Sequence, residues 1–391
     1  MKIVYLSLVD LSMSSGPSVN ERGFIKDMSL RFGGGFLALV PKPKGLLPND
    51  LDGCFVRYIN SVPGSKTFFG WFESRLIGCF KAQCYINSFE PDIIVMRTGA
   101  LAIPQWWVAL KNPDIPFVLK TEGGGGYESF YQRGFGRRLT YGANERIQEA
   151  LIQKAQHVDA VSNMHVESLR AYFPDFSSKI HHIDNGVDTS LFRIDTRERV
   201  RAKFGWAEKD IVLGYAGSQP YKRGARELIY CVAENRDQGV YGMVIGGLSD
   251  DDECVCLSRK LNVEHLVTFM GEVDFLEVAD LMPAFDVGVS LRYQYERSCS
   301  ELKVRQYLAT GAFVIGTAGS NDFLAEKSFA RVIQDNTVEL TLKAFNDFAK
   351  IPLDERKNLR RLATRFANEE LSIAARNDQR LHLWGICPVG G

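Results

Sequence analysis

Two kinds of segment alternate along the chain. Short apolar runs bounded by Gly, Asn, Asp or Pro recur, and longer stretches with apolar residues at helical spacing separate them. The runs that read as strands are Lys2–Leu8, Phe36–Val40, Asp92–Met96, Phe117–Lys120, Val158–Val161 and Lys179–Ile183. A second series follows at Ile211–Ala216, Tyr241–Ile245, Leu266–Phe269, Asp286–Ser290, Ala312–Ile315 and Arg331–Ile333. Their near-continuous apolar character is that of parallel strands covered on both faces, and the helical segments supply the crossovers. The pattern predicts an α/β protein of two Rossmann-like, doubly wound domains facing each other across a cleft. Turn chemistry at Asn185-Gly-Val-Asp, before a helix starting around Thr196, puts the N-terminal domain at 1–186 and the C-terminal domain at 187–365. Leu362–Trp384 reads as one long helix. With no sheet of its own, 366–391 is expected to pack back on the first domain.

Composition narrows the class. The 391 residues hold 47 Lys+Arg and 47 Asp+Glu, a formal net charge of zero. That balance argues against a dedicated nucleic-acid binder but leaves room for a phosphate site, which needs only a few local donors. No apolar stretch approaches the roughly 18 residues of a spanning helix. The start, Met1-Lys-Ile-Val-Tyr-Leu, reads as a first strand and not as a secretory signal, so a cytoplasmic protein is expected. The 8 cysteines show no Cys-x-x-Cys pair and the 6 histidines no His-Glu-x-x-His helix, so neither a metal nor a disulfide framework is expected. Reduced, buried thiols are the simplest reading.

Ligands of open α/β sheets bind beyond the carboxyl ends of the strands, so chemistry belongs in the loops that follow them. The dinucleotide fingerprint is missing after the first strand, and Gly33-Gly-Gly precedes a strand instead of following one. The most informative stretch is Val287–Gly316. A strand ends at Ser290, a polar loop follows, and Ser300 reads as the N-cap of a helix with Glu301 in its first turn. Backbone amides at Cys299, Ser300 and Glu301 would then face an anion, although a capped helix alone gives the same pattern.

The segment Ser300-Glu-Leu-Lys-Val-Arg-Gln-Tyr-Leu-Ala-Thr-Gly-Ala-Phe-Val-Ile-Gly resembles the Ser-Pro-Leu-Lys-x-x-Glu-Tyr-Met-Ala-x-Gly-x-Pro-Val-Ile segment of the family-four, or group-one, retaining glycosyltransferases of GT-B fold. Ile183-Asp-Asn-Gly-Val-Asp-Thr-Ser-Leu-Phe resembles their interdomain linker, and Gly217-Ser-Gln-Pro-Tyr-Lys-Arg-Gly their Gly-Arg-x-x-x-x-Lys-Gly loop. Phe269-Met-Gly and Phe285-Asp-Val-Gly-Val resemble two further elements. Order and spacing agree from about residue 158 to 335, whereas the first 150 residues match only in general layout.

The resemblance implies transfer of a sugar from a nucleotide-diphosphate sugar to a hydroxyl acceptor (glycan, lipid-linked or small-molecule), with retention, without a metal and with no further cofactor. It puts Ser218 at the position of an expected Arg and Arg223 at that of a Lys, with Lys222 beside it, all in the Gly217–Gly224 loop that would neutralise the diphosphate. Of the family's two glutamates, the ribose-binding one falls on Gln306 and the sugar-binding one on Ser298, with Glu296 or Glu301 as substitutes. Lys303 matches the motif lysine and would reach phosphate or lie along the surface. Gly16, in Ser15-Gly-Pro-Ser, would allow close backbone approach to the diphosphate, or it is an ordinary turn. Glu122 stands where a sugar-binding or general-base group is expected, ahead of the loop glycines Gly123, Gly124 and Gly125 and of Tyr127, which would close over the acceptor. His165 reads as a helix-start residue. A nucleotide-sugar epimerase on the same scaffold, or a nucleotide-sugar-binding homologue of weak activity, is the alternative.

Thr67-Phe-Phe-Gly-Trp-Phe-Glu-Ser-Arg-Leu-Ile-Gly-Cys-Phe-Lys and Gln105-Trp-Trp are dense in aromatics. Such residues at helical spacing are expected in the core. Exposed, they would suit peripheral contact with the inner face of a membrane.

Overall fold

A computed structural model of the chain describes residues 1–13, 15–47, 51–60, 68–98, 102–121, 135–247, 252–293 and 300–386, with backbone alone at 68–74, 135–141 and 143. The first run of elements is Ile3–Leu6 (β1), Gly16–Phe32 (α1), Phe36–Val40 (β2), Val56–Tyr58 (β3), Phe68–Phe89 (α2), Ile93–Arg97 (β4), Ile103–Lys111 (α3), Phe117–Thr121 (β5), Phe135–Lys154 (α4), His157–Ala160 (β6), Asn163–Tyr172 (α5) and Ile180–His182 (β7). The second comprises Arg197–Lys203 (α6), Ile211–Ala216 (β8), Ala225–Glu234 (α7), Val240–Ile245 (β9), Glu253–Lys260 (α8), Val267–Gly271 (β10), Phe275–Leu281 (α9), Val287–Ser290 (β11), Leu302–Ala309 (α10), Phe313–Thr317 (β12), Ala330–Ile333 (β13), Val338–Ala349 (α11) and Leu353–Phe366 (α12). Ile373–Leu383 (α13) ends the series. Described residues of 1–186 and 373–386, with Ser300, form one compact unit, and those of 187–293 and 301–372 another.

In the first unit the strand order is β3-β2-β1-β4-β5-β6-β7, all parallel. Because side chains alternate across a strand, each apolar run feeds two cores. Val4, Leu6, Ile94, Met96 and Leu119 pack with Ile86 of α2, Val108 of α3 and Ile152 of α4 on one face. Ile3, Tyr5, Ile93, Val95 and Val118 pack with Phe24 and Met28 of α1 and Leu381 of α13 on the other. The order reverses between β1 and β4. At that point the buried carboxylate of Glu21 accepts from the Tyr5 hydroxyl and lies 3.5 Å from Arg97 and 3.8 Å from Lys120. Burial alone would raise its pKa, but Arg97, Lys120, Tyr5 and Ser7 hold it below the usual carboxylate range.

The second unit has the order β10-β9-β8-β11-β12-β13, again all parallel, with its reversal between β8 and β11. The two α/β units, each a doubly wound sheet, match the Rossmann-like architecture expected from the strand pattern. One buried ionic cluster ties the helices to the sheet. Asp286, just ahead of β11, accepts from Arg197 at 2.5 Å, Arg201 at 2.7 Å and Arg360 at 2.7 Å, and from the Val212 amide at 2.9 Å. Burial opposes its ionisation, yet the three guanidiniums keep its carboxyl below the usual range.

Three expectations are corrected. The edge strand β3, three residues of partly exposed Val56–Tyr58, has too little apolar character to be recognised. Leu362–Trp384 is not one helix: α12 runs into a π-helical turn at Ala367–Leu371 and breaks at Ser372, which is extended and bridges Val187. Thiols are not uniformly buried either; Cys79, Cys231 and Cys254 are, whereas Cys84 and Cys256 are exposed.

Removing the Asp286 carboxylate leaves three guanidiniums, two of them buried, without their shared anion. Asp286→Ala is expected to lower the unfolding free energy by about 3–5 kcal/mol, measured by urea denaturation; a loss within about 0.5 kcal/mol would refute the keystone role.

Candidate functional site

The site is built at the carboxyl ends of β8 and β11, where the second sheet reverses. β8 is buried throughout, and the chain leaves it through a tight loop. Gly217 (φ 134°), Gln219 (φ 57°) and Gly224 (φ 123°) take positive φ, and Pro220–Lys222 forms one helical turn between them. Glycine meets the first and last of these demands without a Cβ penalty. Gly217 donates to the Ile245 carbonyl at 2.9 Å and the Leu291 amide donates to the Arg223 carbonyl at 3.1 Å, so the loop is tied to its neighbours on both sides.

Two tyrosines brace these strand ends. The Tyr307 hydroxyl, from α10, accepts from the Ala216 amide at 2.9 Å and donates to the Val289 carbonyl at 3.5 Å. Its ring fits because position 288 is glycine; a Cβ there would lie 2.4 Å from a ring carbon. Tyr215 donates to the Ser218 carbonyl at 2.8 Å, and burial pushes its pKa well up, so it remains a protonated donor. The Lys303 ammonium sits 4.2 Å from the Tyr215 ring centroid. The charges of Arg223 and Arg292 oppose that rise and the charge of Glu301 adds to it.

The acid is turned inward. Glu301 is 2 % exposed and accepts from the Ser290 hydroxyl, from Ser320 at 2.8 Å and from Asn321 at 3.5 Å, with Arg292 at 3.3 Å. Burial works against its charge, but Arg292, Lys303, Ser290 and Ser320 keep its pKa below the ordinary value. The β12 end joins through Thr317, whose hydroxyl accepts from the Arg292 amide at 3.0 Å. This overturns the expected capping at the helix start. α10 begins at Leu302 with Glu301 as N-cap, and no side chain caps it, because the Glu301 carboxylate is engaged by Ser290, Ser320 and Arg292.

The structure thus brings Gly217, Ser218, Arg223, Glu301 and Lys303 together at one end of one sheet. Ser218 and Lys222 are exposed, Arg223 is half-buried, and Gln306 lies buried one turn along α10 from Lys303. Ser300 directly precedes the Glu301 cap. Gly16 belongs to the other unit, as the first residue of α1 after the N-cap Ser15, with open space where a Cβ would stand. Glu122, Gly123, Gly124, Gly125, Tyr127, Glu296, Ser298 and Cys299 lie outside the described residues. His165 stands in the first turn of α5, its amide bonded to the Ser162 cap and its ring to Thr121 at 3.0 Å. Sequence reasoning missed Tyr215, Arg292, Thr317 and Ser320. Only Tyr307 carried a signal, as the unassigned aromatic of Arg305-Gln-Tyr-Leu.

Glu301→Ala is expected to cost about 3–5 kcal/mol of stability, and Glu301→Gln less, since an amide oxygen still accepts from Ser320. Because the folded pKa lies below the unfolded one, the charge contributes fully above about pH 4.3 and its contribution disappears as pH falls through the folded value. The stability gap between wild type and Glu301→Gln should therefore close on acidification in denaturation curves taken from about pH 7 to about pH 3; a constant gap would refute the assignment.

Residues 38–191, which lie almost wholly in the first unit, match the family model described as Glycosyltransferase Family 4. The match thus falls largely on the part of the chain where motif comparison finds only general layout. D-inositol 3-phosphate glycosyltransferase 2 of Catenulispora acidiphila is 30% identical over a region covering 32% of this chain and 32% of that protein, so the chain matches about a third of its curated relative's length. Among solved structures, sucrose-phosphate synthase from Thermosynechococcus elongatus superposes with a TM-score of 0.74 at 16% identity, covering 98% of each chain. Anabaena HepE in complex with UDP-glucose gives a TM-score of 0.70 at 17% identity, covering 98% of this chain and 99% of that one. The chain has the GT-B fold, and its residues 38–191 are similar to the Glycosyltransferase Family 4 model.

Proposed function

We propose that the chain is a glycosyltransferase that moves a sugar from a nucleotide-diphosphate sugar to a hydroxyl acceptor, with retention of configuration and without a metal. The observation that carries this reading is the concentration of cations at the switch point of the second unit. Lys303 is held over Tyr215, the charge of half-buried Arg223 acts on the same tyrosine, and Lys222 stands exposed on the Gly217–Gly224 loop. Ligands of doubly wound sheets sit at such a point, and a departing nucleoside diphosphate gathers negative charge there. Preorganised ammonium and guanidinium groups stabilise that charge at little reorganisation cost, so the reading needs no cofactor.

On this reading Lys222, Arg223 and Lys303 bind the diphosphate, while Gln306 takes ribose hydroxyls through a neutral amide. Glu301 acts as a positioning residue, because its carboxylate is engaged by Arg292, Ser290 and Ser320. The leaving diphosphate itself helps to take the acceptor proton, which removes the need for a covalent nucleophile. That HepE binds UDP-glucose on the same fold supports a nucleotide-sugar donor.

A thermal-shift screen with nucleotide sugars tests the proposal, followed by assay of nucleoside diphosphate released with and without a hydroxyl acceptor. Stabilisation by one nucleotide sugar is expected, with affinity about tenfold or more lower in Lys222→Ala/Arg223→Ala. Binding that survives the double substitution would overturn the diphosphate site. Sugar isomerisation without acceptor-dependent release would replace transfer with epimerisation.

A further inference from the structure

The first unit carries a polar relay at the carboxyl ends of β5 and β6 that the nucleotide site does not use. Leu119 and Ala160 point into the apolar core that Val166 and Leu169 of α5 cover. Thr121, the last residue of β5, stands on the same face two residues after Leu119. It is 5 % exposed, so its hydroxyl must find partners within the protein. That hydroxyl donates to the Asp159 carbonyl at 2.8 Å, across to β6. Asp159 is held in turn from the opposite face, where its carboxylate accepts from the Trp384 indole at 3.2 Å.

The second partner of Thr121 is the His165 ring, whose Nε2 lies 3.0 Å from the hydroxyl oxygen. A hydroxyl has one hydrogen, and here Asp159 receives it, so toward the ring the same oxygen can only accept. Nε2 is therefore the nitrogen that carries a proton and donates it to Thr121. The local sequence delivers the imidazole. Ser162 caps α5 and accepts from the His165 amide at 3.1 Å, which sets His165 in the first turn. Thr121 and Asp159 are buried and His165 is half-buried, so the relay leads outward from the strand ends.

Ligands of an open α/β sheet lie beyond the carboxyl ends of its strands. With that end of the second unit taken by the nucleotide, the same end of the first unit is the place for the hydroxyl acceptor. We infer that His165 is a positioning residue for the acceptor: through Thr121 it fixes the direction in which the chain leaves β5. Glu122, the candidate for sugar hydroxyls, is the next residue along the chain. The inference rests on the glycosyl-transfer reading and adds a residue to it. Small misplacements at such a point are costly to the rate, so the relay acts on acceptor use and leaves the nucleotide end of the other sheet alone.

The test uses the full chain with UDP-glucose, ADP-glucose and GDP-mannose as donors and glucose, a glucose phosphate and an octyl glucoside as acceptors. Nucleoside diphosphate release is measured with and without each acceptor, and nucleoside diphosphate affinity by calorimetry. His165→Ala should raise the acceptor KM about tenfold and leave the nucleotide affinity unchanged within about twofold. The Gln amide nitrogen takes the position of Nε2 and the Asn amide nitrogen that of Nδ1. His165→Gln should therefore restore the acceptor KM, and His165→Asn should not. Thr121→Val removes the oxygen that the ring meets while keeping the side-chain shape. It should match His165→Ala, with no further rise when the two are combined. Rescue by Asn in place of Gln would overturn the inference, as would additive effects in the double variant or an acceptor KM that neither single substitution moves. A fall in nucleotide affinity matching the change in KM would do the same. Wild type whose diphosphate release ignores every acceptor would overturn the transfer reading and this inference together.

Discussion

A single ionised carboxylate placed out of reach of water organises the second unit's strand ends. Charge in a low-dielectric interior persists only when partners meet it on every side, and Glu301 draws its partners from separate segments. Ser290 ends β11, Arg292 opens the following loop, and Ser320 and Asn321 follow β12. Satisfying one side chain therefore fixes the exits of two strands and the entrance of α10 at once. A hydrophobic residue at the same place would bury area but would not specify where those loops go. The first unit uses the same solution at its own reversal point, where Glu21 gathers Tyr5, Arg97 and Lys120 from β1, β4 and β5.

That arrangement sorts charge by depth. The acid points into the protein, while Lys222 remains at the surface and Lys303 is spread over the face of Tyr215. A chain whose formal charge is zero thus presents a positive end at one sheet. The two tyrosines matter to this sorting. Tyr307 locks α10 against the ends of β8 and β11, and Tyr215 provides the platform on which the ammonium rests.

Much of the scaffold is legible in the sequence because parallel strands buried on both faces must be apolar nearly throughout. Phe36–Val40 and Ile211–Ala216 are read residue for residue. β3 escapes because three partly exposed residues at a sheet edge carry no comparable demand. The break at Ser372 escapes because helical periodicity continues through it, and only pairing with Val187, distant in sequence, pulls the backbone out of the helix. Glu301 is misread for a related reason. An acid after Ser300 looks like first-turn chemistry, and its true environment depends on loops that no local window contains. α2 is misjudged in the other direction. Its Leu76, Ile77 and Phe80 are exposed, since helical spacing of large apolar residues does not say whether a neighbour covers them. Lys222, Arg223 and Lys303 could be singled out because they sit in recognisable loops, whereas Arg292 lies in a stretch without a pattern.

The placement of α13 has a consequence for how the protein is made. Leu381, Trp384 and Ile386 belong to the apolar core of the first unit, and the Trp384 indole donates to Asp159 at 3.2 Å. Arg380 donates to the Asp184 carbonyl at 2.9 Å. The unit whose strands are synthesised first is thus the one that waits for α13, made only after the whole of the other unit. Until then one face of its sheet stays partly uncovered while the other unit, contiguous in translation, can already close its own core.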